Sequence, residues 1–304
     1  MSTQPTQLWL PALDRFDAAH PLRRLLARAD RLDDGPRERL AMLAAAFEGT
    51  GEQLPAAALV REHLAGDAGE AAWLNADPAW VQPDMNGVRL MACGSLSLQP
   101  DEAQACAQLL QPAFAEAGLQ LEVTAPNHWQ LRLPPDAPLP DFAAPEQALG
   151  EDLYQHLPQG AEGRPWRVLL NEVQVLLHQH PLNAARQARG LPPVNSVWWW
   201  GAGRLPSALR SAFAGVVGND VLLRALAAHA GVPGQARTPS TVTTAPAGSL
   251  IDLQDVPAAE LGRDWWPALQ ALAQRQPLHF AFAGGERWSW RPWHRWRFWR
   301  GASR

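Results

Sequence analysis

Lysine is absent from this chain of 304 residues; all 26 basic side chains are arginine. That removes several chemistries. A P-loop needs a lysine on its phosphates, a Schiff-base enzyme needs a lysine amine, and a protein kinase uses one as well. Cysteine is scarce: Cys93 and Cys106 are the whole set. One pair cannot build a structural zinc site without histidine, and no histidine spacing supplies that help. Both thiols are expected to be reduced and mostly buried in a cytoplasmic protein. No run reaches the ~18 apolar residues of a membrane span, so no membrane partner is expected. The opening MSTQPTQLWLPALDRF has no basic patch followed by an apolar stretch, which argues against a secretory signal. A net charge of −4 gives no global field for nucleic acid, so nucleic acid is not the expected partner. The G-x-S-x-G pattern is missing, since Gly94-Ser95 lacks the rest of it, and so is a zincin His-x-x-x-His. No solenoid repeat is present.

What is present is a globular composition, 47 % hydrophobic, in a chain long enough for two lobes. Residues 1–70 read as a helical region. His20-Pro21 precedes LRRLLARADRL, which puts Leu22, Leu25, Leu26 and Ala29 on one face. Pro36 fits the first turn of a second helix, and a third follows Pro55. Residues 71–145 read as a small α+β lobe. Asn86-Gly87 signals a turn before the strand VRLMAC, and Pro100 opens a helix that ends at Gly118, with Pro112 expected to kink or split it. LQLEVT and HWQLRL alternate about a short turn, as in a β-hairpin. A proline-rich connection covers 134–145.

Residues 146–304 read as an α/β lobe. The spacing of Leu169, Leu170, Val173, Leu176 and Leu177 predicts a helix; Pro181 starts another, which Gly190 ends. NSVWWW then predicts a buried strand, Gly201-Ala202-Gly203 a loop, and Pro206 a helix. GVVGNDVLLRALAAHAG repeats the strand–loop–helix order, which implies a partly parallel sheet with flanking helices. Residues 238–248 read as a loop, SLIDL as a strand and Pro257–Gln276 as a helix. The chain ends in a hairpin about Gly284-Gly285. The fold class is thus α/β, with a smaller α+β lobe and a C-terminal β-hairpin.

Three groups of residues could carry chemistry. Gly201, Gly203 and Arg204, between a strand and a helix, could hold a phosphate with backbone N–H groups and a guanidinium. The alternative is a tight turn needing unusual backbone angles. Near them in sequence stand His178, His180, Asn183, Arg186 and Arg189. The histidines are two apart, so they cannot easily share a metal; Arg186 and Arg189 are three apart and can face one anion together, or else pair with surface carboxylates. The carboxylate pairs Asp33-Asp34 and Asp101-Glu102 stand where helix caps are expected. The third group is the tail, RWSWRPWHRWRFWRGASR, with five tryptophans and six arginines. It reads as a hairpin whose tryptophans cover a sheet, with an exposed partner surface past Pro292; the alternative is stacking on single-stranded nucleic acid.

HPLNAARQARGLPPVNSVWWWGAG resembles the bacterial RpfE-type regulatory family, which is similar in turn to archaeal-type cofactor-independent phosphoglycerate mutases. The matching positions are His180 to Asn183, Arg186, Arg189, Gly190 to Asn195, and Gly201 to Gly203; GVVGNDVLLRALAAHAGV looks like the next block. The resemblance covers roughly residues 150–235 and extends more weakly to about 70. It implies the alkaline-phosphatase-like superfamily, an α/β fold with an inserted α+β domain. It also implies two metal ions held by Asp and His, and a serine that takes the phosphoryl group. Those ligands are not visible. After LWLPAL comes Asp14-Arg15-Phe16, with no Asp-Gly. His279 and His294 are the late histidines, outside any Asp-His cluster, and Asp252 and Asp255 are the only late carboxylates that closely follow a strand. The expectation is therefore a cytoplasmic, mutase-like protein with no cofactor and no catalytic residues. It would act as a regulatory module toward a protein partner or a phosphorylated small molecule, with Asn183, Arg186, Arg189, Gly201, Gly203 and Arg204 as the phosphate-type site. An active phosphoglycerate mutase is the alternative.

Overall fold

The computed structural model describes residues 4–299 except 86, 135, 136 and 138. Asn86 of the expected turn, part of the proline-rich connection and the last five tail residues therefore lie outside the described residues. Twelve strands are present among those described: β1 (Thr6–Leu10), β2 (Asp30–Leu32), β3 (Ala72–Asp84), β4 (Gly87–Cys93), β5 (Gln120–Ala125), β6 (His128–Leu133), β7 (Ser196–Arg204), β8 (Val216–Val217), β9 (Gly234–Gln235), β10 (Leu250–Asp252), β11 (Leu278–Phe282) and β12 (Arg287–Trp290). The mixed α/β class expected from the sequence is the class observed.

The chain divides into two compact units, one built from both ends (to residue 49 and from 208) and one from residues 50–207. This replaces the three consecutive regions expected from composition. The reason is β1. Its Leu8 pairs in parallel with Ile251 of β10 on one side and Phe280 of β11 on the other, and Leu10 pairs with Phe282 of β11, which ties the N-terminus to the last third of the chain. A region that reads as helical thus supplies the centre of a sheet.

The first unit carries a seven-stranded sheet ordered β2-β12-β11-β1-β10-β8-β9. From β11 to β9 the strands are parallel, and β12 and then β2 extend the β11 edge, each antiparallel to its neighbour. Leu8, Leu10, Ile251, Phe280 and Phe282 pack against Leu22, Leu26, Leu269 and Leu272 of two helices, Pro21–Leu26 and Trp266–Arg275. The first of these is capped by His20, whose Nδ1 accepts from the Leu22 N–H at 3.2 Å while Nε2 faces the Ala258 carbonyl at 3.0 Å. Burial holds His20 below the ordinary histidine range, which suits a neutral ring with one acceptor and one donor nitrogen. His180 repeats the arrangement at the helix Pro181–Ala188, accepting from Leu182 N–H at 3.0 Å. Three boundaries shift from expectation. The helix read over LRRLLARADRL stops at Leu26, and Asp30–Leu32 pairs with β12 as β2 instead. The second helix starts at Arg39 rather than at Pro36, and Pro239–Thr244 is helical where a loop was expected, because Thr238 supplies a cap with its hydroxyl.

The second unit is a five-stranded antiparallel sheet. β3 is its spine. β7 lies along one edge, and β6 and β4 share the other, pairing with residues 72–75 and 79–84. The helix Pro100–Glu116 runs unbroken through Pro112, and its Phe114 meets Trp199 edge-on at 5.9 Å. NSVWWW is buried as expected, but in this antiparallel sheet rather than in the parallel one. No helix follows at Pro206. β7 instead continues through Gly201 and Gly203 to Arg204. Both glycines have positive φ (+67° and +153°), and a Cβ would stand 2.7 Å from Ala56 Cβ or 2.6 Å from Pro55 Cβ. The G-A-G sequence is therefore a close-approach device within a bulged strand.

Candidate functional site

In open parallel sheets ligands bind beyond the carboxyl ends of the strands. In the first unit that rim gathers a compact ionic cluster around Asp252, the last residue of β10, which is buried. Arg39, the first residue of the helix Arg39–Ala46, donates to Asp252 Oδ2 and to Gln254 Oε1, both at 2.6 Å. It lies 3.4 Å from Asp220 and 5.1 Å from the centre of the Trp9 ring. Burial works against its charge, but Asp252 and Asp220 outweigh that and hold the guanidinium above its ordinary range. Asp220 also caps the helix Val221–His229 through the Leu223 N–H at 2.6 Å. Arg237 donates to the Asp252 carbonyl at 2.9 Å and pairs bidentately with Asp255. Burial would raise the Asp255 carboxyl; its pairing with Arg237 lowers it overall. The two late carboxylates thus each hold an arginine. Asp14 is exposed on the turn after β1 and does not join them. Of the late histidines, His294 is buried 3.4 Å from Asp30, and His279 sits on β11 with its pKa lowered by burial and by Arg287 and Arg291. Among the described residues no group of three or more His, Cys, Asp or Glu side chains could hold a metal ion. Arg39 was not legible as a site residue, because nothing in RERLAMLAAAF distinguishes one helical arginine from another.

The residues expected to hold a phosphate occupy two separate settings. Arg186 is completely buried. Its Nη1 donates to Glu102 Oε2 at 2.7 Å, Nη2 to the Leu96 carbonyl at 2.6 Å and Nε to the Pro192 carbonyl at 2.9 Å. Arg189 donates to the other Glu102 oxygen at 2.8 Å. The two arginines do face one anion together, but the anion is the Glu102 carboxylate, which sequence reading had placed as a cap. It is that too, since Glu102 accepts from the Gln99 N–H at 3.0 Å. Asn183 staples the turn after its helix, donating to the Leu177 and Val194 carbonyls and accepting from the Val194 N–H. Gly201 and Gly203 pack on Ala56 and Pro55, and Arg204 donates to the Glu70 carbonyl. Instead of a strand-to-helix phosphate loop there is a strand edge, because β3 pairs with β7 as far as Arg204.

One titratable group in the second unit escaped sequence reading altogether. Asp77 is buried in β3, between the stretch paired with β6 and the stretch paired with β4. Its oxygens accept from the Trp200 indole at 2.8 Å and the Trp129 N–H at 3.3 Å, and His128 Nδ1 stands 3.8 Å away. Burial pushes its pKa up to about 6. Burial and the Asp77 charge push the Cys93 thiol well above its ordinary range, and burial raises Cys106 to about 11. Both cysteines are free, and neither has the thiolate character of a nucleophile at neutral pH.

No family model matches the chain. It is similar over short stretches to 2,3-bisphosphoglycerate-independent phosphoglycerate mutases. The identity is 35 % over 63 residues with that of Methanothrix thermoacetophila and 37 % over 62 residues with that of Methanosarcina mazei. A probable mutase of Geobacter sulfurreducens is 36 % identical over 62 residues. These stretches are 20–21 % of this chain and 16 % of each of those proteins. Among solved structures, a Pyrococcus horikoshii protein matches over 94 % of this chain and 87 % of its own, with 10 % identity and a TM-score of 0.50. A cofactor-independent phosphoglycerate mutase from Thermoplasma acidophilum matches over 95 % and 90 %, with 13 % identity and a TM-score of 0.43. The chain thus shares a fold with the first of these and a short segment of sequence with the mutases.

Proposed function

We propose that this is a phosphoglycerate-mutase-like protein whose strand-end site has lost metal-dependent catalysis, and that it works as a regulatory or partner-binding module of the RpfE type. One observation carries the reading. The buried carboxylate at the carboxyl end of β10 is held by the guanidinium of Arg39, so a fixed positive charge stands where an ion would need that oxygen. Asp220 and Asp255 are likewise engaged by Arg39 and Arg237. Phosphoryl transfer through two metal ions needs free carboxylates and imidazoles converging on one point, and these oxygens already accept from arginine. The sequence similarity to mutases favours the alternative of an active enzyme.

The two readings separate in one experiment. Purified protein is incubated with manganese or zinc, desalted and analysed for metal, and then assayed for conversion of 3-phosphoglycerate to 2-phosphoglycerate. The proposal expects no stoichiometric ion and no turnover. Stoichiometric metal together with turnover abolished by chelator would overturn it.

A further inference from the structure

After β12 the chain turns through a short 3-10 helix, Pro292–Trp296. Trp293, Trp296, Phe298 and Trp299 are 51, 56, 66 and 77 % exposed. Exposed large aromatic side chains gathered in one short stretch of chain are a feature of interaction surfaces. Beside it runs a groove of about 350 Å³. Leu25, Trp266 and Trp290 supply its apolar lining, and Arg24, Arg28 and Arg295 its charge; among the described residues no acidic side chain lines it.

Among the described residues none of these three arginines pairs with a carboxylate. Arg28 donates to the Arg295 carbonyl at 3.1 Å, and Arg295 lies 5.1 Å from the centre of the Trp296 ring. Neighbouring arginines are paired: Arg297 with Asp30 and Arg31 with Asp34, each at 2.5 Å. The groove therefore combines an apolar lining with three guanidiniums that meet no carboxylate among the described residues.

We propose that this groove docks an acidic segment of a protein partner, one that lays an apolar side chain between Leu25, Trp266 and Trp290 and sets carboxylates against Arg24, Arg28 and Arg295. Single-stranded nucleic acid fits less well. The rings a base would stack on already carry guanidiniums, Arg297 on Trp293 at 4.5 Å, Arg295 on Trp296 and Arg28 on Phe298 at 5.4 Å. The inference rests on the partner-binding part of the function proposed above, but shares no residue with the Asp252 cluster, so the two can fail separately.

The test uses the full chain and a short fluorescein-labelled peptide in which Glu alternates with Leu and Phe. Its Gln-for-Glu analogue, oligo(dT) and phosphatidylglycerol vesicles are run alongside. Saturable binding of the Glu peptide is expected, weakened about tenfold or more in the Gln analogue and about tenfold by Arg24→Glu or Gln274→Glu. Both positions are exposed, and the fold of each variant is to be checked by circular dichroism. No saturable binding, equal binding of the Gln analogue, or unchanged affinity in both variants overturns the proposal. Tighter binding of oligo(dT) or vesicles overturns it too, and assigns the surface to nucleic acid or membrane. Metal content and mutase turnover are measured on the same preparations, so a catalytically active protein that still docks the peptide sinks the earlier reading and leaves this one standing.

Discussion

Replacing Arg186 with methionine keeps the volume of the side-chain stem and removes the guanidinium. The structure sets the cost. Glu102 keeps only Arg189, which is half exposed, and the Gln99 N–H, while the carbonyls of Leu96 and Pro192 lose their donor. Removing one partner of a buried ion pair costs about 3–5 kcal/mol. Each stranded carbonyl adds about 1–3 kcal/mol, overlapping with the first figure rather than summing with it. An overall loss of about 3–5 kcal/mol is expected in urea unfolding of the full chain at neutral pH. Arg186→Met combined with Glu102→Gln should cost less than the sum of the single changes, because the double variant leaves no buried charge unpaired. Acid should mimic part of this. Burial would raise Glu102, but the Gln99 N–H, Arg186 and Arg189 together hold its carboxyl below the ordinary range. The stability it contributes is present above the ordinary glutamate pKa and lost as pH falls through its lowered one. Inorganic phosphate should leave the midpoint unchanged. The reasoning fails if Arg186→Met stays within about 1 kcal/mol of the parent, or if phosphate stabilises the parent but not the variant, which would make Arg186 a ligand arginine after all.

Two further outcomes follow from the second unit. The Asp77 carboxyl is raised from 3.8 to about 6, so the folded state holds its proton more tightly than the unfolded state. That stabilisation is full below pH 3.8 and lost as pH rises through about 6, a change of about 3 kcal/mol. Asp77→Asn should abolish this slope in urea midpoints measured from pH 4 to 7, and a variant with the parental slope would remove Asp77 as its source. Gly201→Ala forces a side chain into a left-handed backbone (φ +67°) with Ala56 Cβ 2.7 Å away. A loss of about 2 kcal/mol or more is expected in the same assay, and parental stability would show that β7 relaxes freely there.

Much of the architecture could be read before any coordinates. Proline and histidine starts, glycine stops and apolar spacing located the helices at Pro21, Ala56, Pro100 and Pro181, and the second half of Gly160–His178. Alternation located the hairpins β5–β6 and β11–β12. It also separated the covered tryptophans of β12 from the exposed ones past Pro292. These signals are local: a cap, a turn or a period is decided by residues a few positions apart.

What the sequence could not determine was partnership at long range. Gly201-Ala202-Gly203 has the composition of a phosphate loop, and only pairing with β3 makes it a strand edge. Arg186 looks like a surface arginine until the helix carrying Glu102, 84 positions earlier, is laid against it. Arg39 and Asp252 are 213 positions apart and meet only because β1 joins the two ends of the chain in one sheet. Composition, capping and periodicity are properties of a segment and survive in one dimension. Whether a charged side chain meets a ligand or an opposite charge of its own chain depends on which segments are brought together, and packing alone decides that.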